Sequence, residues 1–178
     1  ASSWLDPNGS DADMYAYDNF TLPGNQAVTS VRWRGGYIYN AFYSHASNFT
    51  ITFFDSILGG SQPLVTNPQL PETFLAQYQV GSNAGETYVG SINGVAMYDY
   101  QFTLPTAFQA AGGHTYWIRI EAAQVGYPDW GIAVGTGGNA QHFQFSTGAA
   151  RFSYGGGDEA FTRTTTATPG VVVTPAAT

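Results

Sequence analysis

Carboxylates crowd the amino-terminal part of the chain, where Asp6-Pro7-Asn8-Gly9-Ser10-Asp11-Ala12-Asp13 is followed by Asp18. This is a set of hard oxygen donors around a glycine turn. Calcium takes roughly six to eight oxygens from carboxylates, carbonyls and waters, which such a turn can supply. First and last strands of a β-sandwich often lie side by side, so Asp158 or Glu159 can complete the set. The expectation is a calcium site drawn from Asp11, Asp13, Asp18, Asp158 and Glu159. The spacing fits no EF-hand loop, and a solvated acidic loop explains the same residues.

A second constellation is aromatic. The segment Gly35-Gly36-Tyr37-Ile38-Tyr39-Asn40-Ala41-Phe42-Tyr43-Ser44-His45 gathers rings in what reads as a loop. Tyrosine offers an apolar face and a polar edge, which suits stacking on a sugar or anchoring a protein interface. Tyr37, Tyr39 and Tyr43 are therefore contact candidates, with core packing under a long loop as the competing account. Trp117 falls between Tyr116 and Ile118 in strand phase, so it is expected to face outward as a ligand platform. Trp33, in phase with Val31, is expected in the core. Tyr127-Pro128-Asp129-Trp130 reads either as a sugar contact or as a turn before a buried tryptophan.

Catalysis finds little to work with. His45, His114 and His142 have no metal-ligand spacing, and neither a G-x-S-x-G elbow nor a Walker loop is present. A carboxylate pair for glycoside hydrolysis can be drawn from Glu86, Asp99, Glu121 and Asp129, but no motif surrounds them and their separation would decide the mechanism. The sequence reads as non-catalytic.

The elements that must position these residues are strands. Asn48 to Phe54 reads N-F-T-I-T-F-F, and Phe49, Ile51 and Phe53 alternate with Thr50 and Thr52. His114 to Ala122 alternates Tyr116, Ile118 and Ile120 with Trp117, Arg119 and Glu121. Similar runs cover Tyr15 to Leu22, Val28 to Arg34, Phe74 to Val80, Glu86 to Ile92, Val95 to Leu104, Trp130 to Gly135, Gln141 to Ser146 and Glu159 to Thr165. Turn residues separate nearly all of them. Only Thr106 to Ala111 has room for a single helical turn. Many short strands with turn signals predict an all-β, antiparallel β-sandwich of the jelly-roll kind.

Composition agrees. The 178 residues suit one domain, with 43% hydrophobic and 16% aromatic residues, 22 Gly and 9 Pro. Net charge is −7 with only 5 Lys+Arg, which disfavours nucleic acid and anionic membrane surfaces as partners. No apolar run approaches a membrane span. The absence of cysteine excludes disulfides, thiolate metal sites and cysteine nucleophiles.

Several pieces in order carry a resemblance: Asp18-Asn19-Phe20, Val31-Arg32-Trp33-Arg34-Gly35-Gly36-Tyr37, Asn48-Phe49-Thr50-Ile51, Tyr98-Asp99-Tyr100, Gly113-His114-Thr115-Tyr116-Trp117-Ile118 and Asp158-Glu159-Ala160-Phe161. Together they make the chain resemble the secreted bacterial jelly-roll modules found in exported and sorting-signal proteins. Asn19 stands where that pattern has a second acidic residue. The resemblance implies an extracellular or cell-surface, non-catalytic module.

Residues 1–163 are expected to form the single domain and 164–178 a Thr/Pro/Ala-rich tail. Within the tail, Val171, Val172 and Val173 form a β-branched run between Pro169 and Pro175, suited to a short added strand that contacts another subunit. Two functions follow as expectations. One is a structural protein that associates with itself into a filament or surface assembly by strand donation; the other is a carbohydrate-binding module that takes polysaccharide.

Overall fold

Alternating apolar and polar residues become strands almost wherever they occur. The computed structural model describes residues 1–5, 13–38, 45–46, 48–65, 73–81, 84–124, 129–147 and 151–167. In chain order the strands are β1 (Trp4–Leu5), β2 (Met14–Thr21), β3 (Gln26–Tyr37), β4 (Asn48–Phe54), β5 (Ser56–Ile57), β6 (Gln62–Pro63), β7 (Ala76–Gly81) and β8 (Thr87–Ile92). They continue as β9 (Val95–Ala110), β10 (Thr115–Ala123), β11 (Trp130–Ile132), β12 (Val134–Gly135), β13 (Gln141–Ser146), β14 (Arg151–Gly156), β15 (Asp158–Glu159) and β16 (Phe161–Ala167). Among the described residues the only helical element is a 3-10 turn at Leu58–Gly60. No helix there is long and apolar enough to cross a membrane.

The chain is an all-β sandwich. A seven-stranded sheet runs β14-β13-β2-β1-β10-β4-β7, and a five-stranded sheet runs β11-β3-β9-β8 with β16 also on β3. Phe49, Ile51, Phe53, Ile118 and Ile120 of the first sheet meet Val28, Val31, Trp33, Tyr100 and Phe108 of the second in one core. Phe53 and Phe108 stack at 4.3 Å across that interface. Among the described residues pairing is antiparallel except where β1 lies parallel to β10, with Trp4 opposite Ala122.

Several expectations need correction. Thr106 to Ala111 makes no helical turn, because β9 continues through Ala110 and places Phe108 opposite Val28. The domain does not stop at Arg163. β16 continues to Ala167, pairing opposite Gln26 across a bulge between Thr164 and Thr165. Gly35 and Gly36 belong to β3 rather than to a loop, and their missing side chains matter. A Cβ on Gly35 would come within 2.2 Å of the Trp130 ring. Bare backbone there lets β11 pair against β3 with Trp130 driven into the core, where it is 0% exposed.

A second hydrophobic layer covers the other face of the seven-stranded sheet. Tyr15, Tyr17, Phe54, Trp117, Phe143 and Phe145 cluster there. Strand phase explains the division: along β2, Tyr15 and Tyr17 face this layer while Phe20 faces the main core.

Candidate functional site

The acidic set is brought together only in part. β15 ends up beside β2, and the Glu159 backbone nitrogen donates to Asp18 Oδ2 at 2.7 Å. Asp18 Oδ1 accepts from the Asn19 nitrogen at 2.7 Å. Asp158 accepts from the backbone nitrogens of Gly138 at 2.8 Å and Ala140 at 2.7 Å, folding the 137–140 turn around its carboxylate. Ala140 takes a left-handed φ of 60° in that turn.

Asp13 does not join them. It sits five residues before Asp18, about 16 Å along an extended strand, and on the side where the Tyr15 hydroxyl reaches it at 3.3 Å. Strand alternation thus turns Asp13 and Asp18 to opposite sides, which corrects their expected sharing of a site. Asp11 lies outside the described residues. Among the described residues no group of three or more His, Cys, Asp and Glu is arranged to hold a metal ion.

The electrostatics of the cluster are those of buried acids. Burial pushes the Asp18 carboxyl up to about 6 against two backbone hydrogen bonds that pull it down. Burial and then the Asp18 charge push Glu159 up to about 8. Glu159 Oε1 is buried with no hydrogen-bond partner among the described residues. A carboxyl so placed favours its protonated form.

The aromatic candidates are also corrected. Trp117 does point away from Ile118, as its phase requires, but it is only 2% exposed because the second layer covers that face. Arg119 and Glu121, on the same side, pair at 3.2 Å, and the Arg119 guanidinium lies 4.9 Å from the Tyr15 ring centre. Tyr37 is 1% exposed, so it is a core residue and not a contact platform. Its hydroxyl and that of Tyr100 donate to Glu86 Oε2 at 2.8 and 2.9 Å, while His45 meets Oε1 at 2.6 Å. Tyr39, Tyr43 and the Val171 to Val173 run lie outside the described residues. Trp33 is in the core as expected, stacked on Tyr100 at 5.5 Å.

One feature that strand patterns alone do not reveal is an open seam along one side of the sandwich. β8 pairs with β9 only from Val95 to Asp99, leaving Phe102 to Ala110 without a second strand partner among the described residues. Facing it, β7 is the outer strand of the other sheet. The Tyr78 hydroxyl bridges the two, donating to the Thr106 carbonyl at 2.9 Å. Between them lies a groove of about 590 Å³ lined by Leu75, Ala76, Tyr78, Phe108 and Tyr116, with His114 and Asp55 paired at 2.6 Å. Leu75 is 48% exposed at its mouth.

The chain belongs to the family described as Domain of unknown function (DUF7901), which residues 5–152 match. No curated protein and no solved structure matches the chain.

Proposed function

We propose that this chain is a non-catalytic, extracellular structural protein whose copies join by strand addition at the seam between β7 and β9. The observation that carries the reading is the seam itself. Among the described residues it sets two unpaired sheet edges beside an apolar groove, a template for another strand. The strand offered is the Val171-Val172-Val173 run. Its main chain supplies ladder hydrogen bonds while alternate valines fill the groove, and the flanking prolines keep the addition short.

Geometry supports delivery from this part of the chain. β16 ends at Ala167 opposite Gln26, and Gln26 is opposite Ala110 at the end of the seam. Ala167, the described residue that precedes the donor segment, therefore lies two strand spacings, about 10 Å, from the β9 edge of its own chain. Donation to the next copy is a head-to-tail joint, and it propagates as a filament where its rotation does not close.

The experiment compares the intact chain, a chain lacking residues 168–178, and the exposed-site variant Leu75→Arg by light scattering and electron microscopy. The intact chain assembles, both variants stay monomeric, and a synthetic peptide of residues 168–178 binds the truncated chain. A truncated chain that assembles as well as the intact one, or an intact chain that stays monomeric with the segment docked on itself, sinks the reading.

A further inference from the structure

The outer face of the five-stranded sheet holds a second feature, unrelated to the seam. Strand register lines up two adjacent rows of polar side chains across it. In one row Thr162 lies opposite Arg32, and Arg32 opposite Gln101. In the next, Arg34 lies opposite Asp99, and Asp99 opposite Thr87. Alternation points these residues away from the core, since Trp33 and Tyr100 between them are 2% exposed. Successive rows stand about 7 Å apart along the strands.

These rows floor an open trough of about 840 Å³, walled by Ile92 and Met97 on one side and by Val134 on the other. Ile92 is 52% exposed and Val134 71% exposed. Arg34 and Asp99 form a two-point pair, Nε to Oδ1 at 2.6 Å and Nη2 to Oδ2 at 2.9 Å, which fixes both side chains in place. Arg32 has no acidic partner among the described residues. A fixed guanidinium–carboxylate pair, an amide and two hydroxyls present donors and acceptors in a plane. That suits the adjacent hydroxyls of a sugar ring, while aliphatic walls suit its C–H faces.

We propose that this trough binds a polysaccharide that carries carboxylates, one containing uronic acid residues, with Arg32 taking the sugar carboxylate and Arg34, Asp99 and Gln101 taking hydroxyls. The charge balance favours an anion. Two arginines face one aspartate on the floor, in a chain whose net charge is −7. Glu159, which also borders the trough, has its carboxyl pushed up to about 8 by burial, so at neutral pH it is mostly uncharged. An arginine without an acidic partner recognises a carboxylate through two parallel hydrogen bonds, which a neutral sugar cannot offer.

The test is titration calorimetry of the intact chain with polygalacturonate and alginate, alongside neutral galactan and dextran sulfate, repeated with Arg32→Gln and Arg32→Lys. Arg32 is exposed and has no acidic partner among the described residues, so both variants keep the melting temperature of the parent. At least one uronate polymer binds, Arg32→Gln weakens it about tenfold or more, and Arg32→Lys falls between. Galactan and dextran sulfate bind distinctly more weakly. Equal binding of galactan, unchanged in Arg32→Gln, overturns the carboxylate assignment. Equal binding of dextran sulfate reduces it to nonspecific attraction of polyanions, and no binding of any polymer by the folded chain removes the site. The assembly reading is tested on the truncated chain and Leu75→Arg, so the two fail separately.

Discussion

The backbone nitrogen of Glu159 donates to the Asp18 carboxylate at 2.7 Å, tying β15 to β2 across 141 positions of sequence. Both side chains are buried acids whose carboxyls hold protons more tightly in the folded chain than in the unfolded one.

Stability should therefore fall as pH rises. A carboxyl with a raised folded pKa makes the native state bind more protons than the unfolded state between its two pKa values, and each pH step in that interval weakens the fold. For Asp18 the window runs from 3.8 to about 6, and for Glu159 from 4.5 to about 8. Urea unfolding from pH 5 to 9 should show a decline of several kcal/mol, about 1.4 kcal/mol for each tenfold difference in proton affinity between the folded and unfolded chain. Glu159→Gln should flatten most of it. A midpoint rising toward pH 8 in the parent chain contradicts the assigned burial.

Gly35→Ala should destabilise by about 2–3 kcal/mol, since the new methyl group has only the Trp130 ring and the Gly131 carbonyl to occupy. Near-ultraviolet circular dichroism should change with it. Gly24→Ala, where nothing lies within 4 Å, is the control and should stay within about 0.5 kcal/mol of the parent.

Trp117→Ala should cost about 3–5 kcal/mol, as for a core tryptophan. A surface platform predicts the reverse, an unchanged midpoint with lost ligand binding. Thermal unfolding of this one variant distinguishes the two.

Removing the carboxylate that Tyr37 and Tyr100 share leaves two largely buried hydroxyls seeking acceptors. Glu86→Ala should lose about 2–3 kcal/mol. The double variant Glu86→Ala, Tyr37→Phe should lose less than the sum of the two single changes. Additivity in that cycle would show that the hydrogen bond carries no coupling.

Strand identity was legible in the sequence because period-two alternation survives any tertiary arrangement; β13 has the bounds that its pattern predicts. What one strand cannot reveal is whether its second face is covered. Trp117 shows this: its phase is as read, but the rings clustered with it on that face come from β2, β4 and β13, far away in sequence. The acidic set failed in a similar way. Asp18 and Glu159 meet because sheet order puts β15 near β2, whereas Asp13 parts from Asp18 because an odd number of extended positions separates them. The seam and the polar trough follow from which strands are neighbours, and that ordering carries no local signature.

The sheet order also sets a kinetic problem. β3, the middle of the five-stranded sheet, pairs with β16 at the far end of the described chain, and β1 lies parallel to β10. Partners so distant must be found by search through many loop closures, so folding belongs to the slow, millisecond-to-second regime of high contact order. Until β16 arrives, β3 exposes a row of unpaired amides and carbonyls. The interval before that last pairing is when this chain is most open to mispairing with its own copies.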